Sequence, residues 1–502
     1  MSLYQDSLSK TNEYGEVVSV LHPIVNIVGL PTVKNREVLV FENGKVGQVK
    51  SIKKDNISVL LFSTTPVNVG QKVTRLNILP SIEIKDDLLG KVVDGLGNIV
   101  GPISDNMDSE KANKTSKAVD LLDKLPPGMD TRVDVKQQFI TGVSIVDLLV
   151  PVGLGQRELV VGDRKTGKTS FLLTILKNHV IKTKGVVVYV TIGSNISDIK
   201  NIQNFIKKHK LEKNVVIVST TSNSPHGNII LSPYTGMTIA EYYKKMGKDV
   251  VIVLDDLSTH AMYYREVSIL SRRFPGRDSY PGDIFYLHAR LLERAGNYTT
   301  KESKKGSITC FPVAQTTQND LSDYIVSNLI SITDGHLLFD PIEFGKGRRP
   351  AINISLSVTR LGRQTQTILL QDISRQLSSF LTTKYEKSLQ LSHFGSELTE
   401  EVQRDLEIGN RLYDFFNQDI GTVVLLNPSI VFLSMIWLNI FKKESRTKLL
   451  VYRSIFIKSY INNPNTATFI DSVTNAKSFK QVLIKVMGEK NKLIQICKAK
   501  KS

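Results

Sequence analysis

The sequence predicts a multidomain α/β chain: an N-terminal β-barrel, a central domain built on a mainly parallel sheet, and an all-α C-terminal domain. Three observations predict it. Short β-rich runs with turn residues at hairpin spacing fill the first part. Apolar strands alternate with helical segments in the middle, and 3.6-residue periodicity takes over at the end. With 502 residues, 41% of them hydrophobic and 23% charged, the chain is long enough for about three globular domains and poorly suited to wholesale disorder.

The elements follow in order. Residues 1–13, MSLYQDSLSKTNE, form a short N-terminal tail without the apolar stretch that export requires, so the chain is expected to stay inside the cell. Residues 14–85 read as a small barrel through GEVVSVLH, IVNIVGL, REVLVFENG, KVGQVKSI and ISVLLFS. The polar stretch Ser104 to Lys117 lacks apolar periodicity and reads as a surface loop. Residues 86–370 hold the strands RELVVGD, GVVVYVTIG, NVVIVST, DVVIVLDD and ITCFPVAQ, whose alternation with helices implies a parallel sheet with crossovers. Residues 371–502 look all-helical, as in SELTEEVQRDLEIGNRLYDFF. The longest apolar tract, Val423 to Phe441, is interrupted by Asn427 and Pro428, so a buried helix is expected there and not a membrane span.

Two cysteines, Cys310 and Cys497, exclude a disulfide framework and a four-cysteine zinc site. The formal net charge of +17 favours an anionic partner. Most of the excess is Lys scattered among Asn and Ile, as in IKTKG and FIKKHKLEKN, which a bias in residue usage explains equally well.

One motif carries chemistry by itself. RELVV runs into Gly162, Asp163, Arg164, Lys165, Thr166, Gly167, Lys168 and Thr169, a full GxxxxGK[ST] at a strand-to-helix junction. Glycines let backbone N–H groups curl round a phosphate, and the following helix adds its positive dipole end. Lys168 is expected on the β- and γ-phosphates of ATP or ADP, and the Thr169 hydroxyl on Mg2+. The strand VVIVLDD ends in Asp255; taken alone, a helix-capping Asp is the better explanation of such a strand end, and the P-loop upstream makes Asp255 the expected second magnesium-supporting group. A hydrolase also needs a group to activate water. The strand after the P-loop helix ends in Gly193, Ser194 and Asn195, without Glu, and Asp198 lies four residues beyond Ser194. The chain is therefore expected to bind nucleotide and hardly cleave it.

Together, GQRELVVGDRKTGKTS, VIVLDDLSTHAMYYRE, RRFPGRDSYPGDIFYLHARLLERAG, SNLISITDGHLL and RRPAINISLSVTRLGRQTQ resemble the alpha-type subunits of rotary F-type ATPases and ATP synthases, over about Tyr14 to Gln418. The resemblance implies a RecA-like central domain and an alternating hexamer with catalytic beta-type subunits round a central shaft subunit. It implies stalk or membrane-rotor partners, no nucleic acid, and a cytoplasmic location peripheral to the membrane's cytoplasmic face. It gives Arg360, in SVTRLG, the role of an arginine finger in a neighbouring catalytic site, a task suited to a permanently charged fork. It matches Phe344, Arg349, Pro350 and Gln418 to residues that enclose adenine, with Ile420 at a second glutamine position. The turn Arg272 to Asp283 resembles the family's shaft-facing turn.

Departures from the pattern bear on function. Ser194 stands where alpha-type subunits carry Gln and catalytic beta-type subunits Glu, so the site is expected to be non-catalytic. Lys165 replaces a Gln, and Thr359 a Ser. The short segment ahead of the barrel, the segment Gln315 to Val326 and the basic tail from Lys480 are similar to F-type-like ATPase paralogues of wall-less bacteria, whose heads drive other machinery. Two competing readings are a homohexameric export ATPase, disfavoured by Ser194, and a Rho-like RNA translocase, disfavoured by a barrel with few aromatics such as Phe41 and Phe62.

Overall fold

A computed structural model of the chain describes residues 2–85, 88–104, 117–299, 305–393, 399–442 and 444–498. It divides into two compact units. The first comprises Met1–Asp134, Val180–Thr316 and Asp320–Thr333, and the second Val135–His179, Thr317–Asn319 and Asp334–Ser502.

The first unit opens with six strands, β1 (Gly15–Leu21), β2 (Ile24–Val28), β3 (Val38–Phe41), β4 (Val46–Ile52), β5 (Ile57–Leu61) and β6 (Lys72–Arg75), closed in the order β1-β2-β5-β4-β3-β6. Closure pairs Gly15 with Val73 and leaves no free edge. The interior is a dry cluster that includes Val17, Ile27, Leu39, Phe41, Val59 and Val73. Gly15 is required because a Cβ there would stand 2.4 Å from the Val28 carbonyl oxygen.

The residues ahead of the barrel are not a bare tail. They form helix α1 (Leu3–Thr11), opened by a capping box between Ser2 and Gln5 and ended at Asn12 in the left-handed region. Tyr4 is buried, and the Thr11 hydroxyl lies 3.0 Å from that of Thr74 on β6. The segment β7 (Ser81–Lys85), expected within the barrel, pairs antiparallel with β10 (Lys117–Leu121) instead. Of the expected polar loop, residues 105–116 lie outside the described residues, and Lys117 already begins a strand.

The sheet of this unit runs β18 (Ser307–Gln315), β16 (Val250–Asp255), β14 (Val186–Ser194), β15 (Val215–Thr221), β8 (Lys91–Val93), β9 (Ile99–Pro102). All neighbours are parallel except β8/β9, and β17 (Gly296–Asn297) runs antiparallel to β18. Burial on both faces explains the unbroken Val and Ile runs. Helices α4 (Ile196–Lys208), α5 (His226–Lys245), α6 (Leu257–Leu270), α7 (Ile284–Leu292) and α8 (Tyr324–Ile332) connect the strands. Between α6 and α7 the turn Arg272–Asp283 places Phe274 97% exposed, with the Arg265 guanidinium 4.7 Å above the Tyr280 ring. Just beyond α7, Arg294 is fully buried and spends its guanidinium on both Glu241 carboxylate oxygens (2.8 and 3.0 Å), the Thr238 hydroxyl (2.8 Å) and the Leu122 carbonyl (2.7 Å).

The second unit has a sheet of β13 (Glu158–Gly162), β19 (Gly335–Phe339) and β20 (Val358–Thr359), with β13/β19 parallel and β19/β20 antiparallel. A separate pair joins β11 (Gln138–Phe139) to β12 (Val152–Gly153). Helices α2 (Ser144–Leu149), α3 (Lys168–Thr183) and α9 (Pro341–Gly345) accompany these strands. The rest is helical: α10 (Ile368–Ser379), a π-turn at Phe380–Tyr385, then α11 (Glu386–His393), α12 (Glu400–Phe416), α13 (Leu426–Trp437), α14 (Arg446–Asn462), α15 (Pro464–Thr474), α16 (Phe479–Gly488) and α17 (Lys490–Lys498). The apolar tract read as a buried helix is α13, buried continuously from Pro428 to Ile436, with Phe432 against Phe415, Phe441 and Phe456. Gly409 on α12 makes room for the Tyr385 ring, which a Cβ would meet at 2.0 Å.

Candidate nucleotide site

The P-loop takes its shape from its glycines and its own polar atoms. Gly162 ends β13 at φ +150°, and a Cβ on it would lie 2.2 Å from the Phe339 carbonyl oxygen on neighbouring β19. Lys165 (φ +63°) and Gly167 (φ +96°) both adopt the left-handed region, turning the loop into α3. The Thr166 hydroxyl donates to the Asp163 carbonyl at 2.8 Å, and the Asp163 carboxylate accepts from the Asn319 N–H at 3.0 Å. The Lys168 ammonium lies inside the loop, donating to the carbonyls of Gly162 (2.7 Å) and Asp163 (2.6 Å). Arg164, Lys165 and Thr169 are exposed. A cation and a helix N-terminus converging on a glycine-shaped loop are what a polyphosphate requires.

The same unit brings the four adenine candidates together. The Arg349 guanidinium stacks 3.4 Å above the Phe344 ring and donates to the Phe344 carbonyl at 2.8 Å. Its N–H donates to the Asn417 side chain at 2.7 Å, and the Gln418 N–H returns to the Arg349 carbonyl at 2.8 Å. Pro350 follows directly, and the Phe344 ring edge lies 4.0 Å from where a Gly167 Cβ would stand, so this platform adjoins the P-loop. The Gln418 amide is committed to backbone: it donates to Gly142 (2.7 Å) and Thr422 and accepts from Ser144 (3.3 Å). The Asp147 carboxylate fixes that same loop through the N–H groups of Thr141 (2.8 Å) and Gly142 (3.0 Å). Gln418 thus supports the loop, while Ile420 is exposed beside it.

Asp255 and Ser194 belong to the first unit. Asp255 ends β16 and accepts from the Tyr189 hydroxyl at 2.9 Å, and burial, then this carboxylate, push the Tyr189 phenol up. The helix-capping role falls to its neighbour Asp256, which accepts from the Thr259 N–H at 2.6 Å and from the Gln315 amide. Ser194 closes β14, and Asp198 sits in the first turn of α4. Among the described residues no group of three or more His, Cys, Asp or Glu side chains is arranged to hold a metal. The Thr169 hydroxyl, at the start of α3 in the second unit, is a hard oxygen donor of the kind Mg2+ accepts.

Arg360 follows the edge strand β20 of the second unit and is exposed. Its N–H donates to the Asp334 carbonyl at 2.9 Å. Asp334 in turn holds Arg157 through a fork (2.9 and 2.6 Å) and through the Arg157 N–H (2.9 Å). The preceding Thr359 hydroxyl donates to the Pro151 carbonyl (2.8 Å) and accepts from Gly362 (3.0 Å). Glu158 is fully buried beneath this edge; one oxygen accepts from Gln156 at 2.6 Å and the other has no hydrogen-bond partner among the described residues. Burial, then Asp334, holds its carboxyl well above the usual range, opposed by Gln156 and the Arg360 charge. Sequence reading assigned no role to Gln156, Arg157, Glu158 or Asp334; the one signal was three consecutive polar residues opening an apolar strand.

Comparison with known proteins agrees with this geometry. The family model described as "ATP synthase alpha/beta family, nucleotide-binding domain" matches residues 142–359. The chain is 37% identical over 467 residues to the ATP synthase subunit alpha of Mycoplasmopsis synoviae, covering 92% of this chain and 86% of the relative. It is 35% identical to that of Metamycoplasma arthritidis (95% and 89% covered) and 39% identical to that of Mycoplasma genitalium (82% and 77%). Among the described residues, no helix is long and apolar enough to cross a membrane.

Proposed function

Because this chain belongs to the ATP synthase alpha/beta family, we propose that it is the non-catalytic, nucleotide-binding alpha-type subunit of a rotary ATPase head. In this reading it alternates with beta-type catalytic subunits round a central shaft, peripheral to the cytoplasmic face of the membrane. Its own P-loop holds ATP or ADP: Lys168 exchanges the Gly162 and Asp163 carbonyls for phosphate oxygens, and the platform of Phe344, Arg349 and Pro350 takes the base. Thr169 would offer its hydroxyl to Mg2+, which would neutralise phosphate charge when bound. A serine hydroxyl at position 194 is far too weak a base to activate water near neutral pH, so the bound nucleotide persists.

The observation that supports the reading best is the placement of Arg360. An exposed arginine follows an edge strand whose backbone is pinned by Asp334, so its backbone stands on a stiff mount. A guanidinium fork suits charge developing on a transferred phosphoryl group in an adjacent subunit. The test is hydrolysis by the purified chain alone and with its beta-type partner. The expected result is stoichiometric nucleotide binding with negligible turnover for the chain alone, and brisk turnover only for the mixture. Brisk hydrolysis by the isolated chain refutes the assignment.

A further inference from the structure

A cavity of about 200 Å³ lies in the first unit between the barrel and helices α5, α6 and α7, away from the P-loop motif. Its wall carries three cations: Lys50 on β4, Arg36, and Arg273 from the turn after α6. Two carboxylates face them. Asp123 is already shared between Arg36 (2.6 Å) and Arg290 (2.9 Å), and Asp283 accepts from Arg273 (3.3 Å) and the Tyr264 hydroxyl (2.9 Å). Two negative charges thus answer four positive ones. Lys50 forms no ion pair among the described residues; its ammonium donates to the neutral Gln48 amide oxygen at 2.8 Å. Burial, then the nearby Arg273 and Arg36, push the Lys50 ammonium down to about 8, opposed by Asp123 and Asp283. The floor is apolar, with Leu231, Val267 and Leu287, so charge on the wall is poorly screened.

We propose that this cavity is an oxyanion site, binding a phosphate group between Lys50 of the barrel and Arg273 of the Arg272–Asp283 turn. Its size admits inorganic phosphate or one phosphate of a larger molecule. Arg273 already donates to the Lys50 carbonyl at 3.1 Å, so the two sides of the site are joined and an anion adds a second, charge-assisted link between barrel and turn.

The test is equilibrium dialysis of radiolabelled orthophosphate against the full chain with its P-loop saturated by Mg-ADP, at fixed ionic strength. One phosphate per chain is expected beyond the P-loop site. Lys50→Met should weaken it about tenfold or more with ADP binding unchanged. Asp283→Asn keeps an oxygen for the Tyr264 hydroxyl while removing a repelling charge, and should tighten it about fivefold. Lys168→Ala should leave it intact. In that variant, displacement of the label by ADP identifies a nucleotide's phosphate tail as the ligand, and its persistence identifies free phosphate; either supports the site. No phosphate bound beside a filled P-loop, binding lost in Lys168→Ala but kept in Lys50→Met, or an unchanged affinity in Asp283→Asn overturns it.

Discussion

Replacing Arg360 by alanine separates fold from function in this chain. The anchors of this strand end are the Arg360 N–H on Asp334, the Thr359 hydroxyl on Pro151 and the Arg157–Asp334 fork, and none of them uses the Arg360 side chain. Arg360 is exposed and its charge opposes the upward shift of the buried Glu158 carboxyl, so truncation should change stability by about 1 kcal/mol. The charge it removes would act in the neighbouring subunit's transition state, where an arginine finger contributes about 10³–10⁵ in turnover, or roughly 4–7 kcal/mol of barrier. Steady-state hydrolysis by the head reconstituted with its beta-type partner reads this directly, with urea unfolding and ADP affinity of the isolated variant as controls. Arg360→Lys should recover only part of the loss, because an ammonium cannot fork onto two oxygens. Turnover within tenfold of wild type in an assembled Arg360→Ala head refutes the reasoning.

Three further outcomes are expected. Gly162→Ala forces a Cβ to within 2.2 Å of the Phe339 carbonyl at a positive φ and should cost about 3 kcal/mol or more along with ADP binding, read by urea unfolding and nucleotide titration. Thr169→Ala removes the exposed hydroxyl at the start of α3, so ADP affinity should fall about tenfold with magnesium and stay unchanged in its absence. The buried pair His260 and His288, with ring nitrogens 3.1 Å apart, is held neutral by burial, His260 at about 4 against an ordinary 6.5. The unfolded chain takes up protons that the folded chain refuses between these values. Stability is therefore full above pH 6.5 and lost as pH falls, by about 2 kcal/mol at pH 5 from His260 alone. His260→Gln should shrink the difference between urea midpoints at pH 7 and pH 5.

The sequence made some layers of this molecule readable and hid others for physical reasons. Strands such as VVIVLDD announce themselves because burial on both faces demands unbroken apolar runs, and the P-loop because its glycines occupy backbone that a Cβ would block. Barrel, parallel sheet and helical region were legible on the same grounds. Where the barrel ends was not: SIEIK has the same alternation as a barrel strand, and only its distant partner at Lys117–Leu121 shows that it belongs elsewhere. The helix ahead of the barrel was missed because nine residues carry little periodicity, although Ser2 and Gln5 spell its cap. Gln418 was matched to the adenine side by resemblance alone, and nothing local showed that the backbone of residues 142 and 144, far away in sequence, and of residue 422 takes up its amide. Likewise, nothing local marks Glu158 and Asp334 as the mount of Arg360.

The buried Arg294 has a mechanical meaning. Helix α7 starts at the exposed Phe274-bearing turn, and just past its other end Arg294 is riveted to α5 and to the Leu122 carbonyl. Breaking one partner of such a buried pair costs about 3–5 kcal/mol, so this anchorage yields last. The turn is therefore carried at one end of a helix whose other end is tied by charge-assisted hydrogen bonds to α5, deep in the unit.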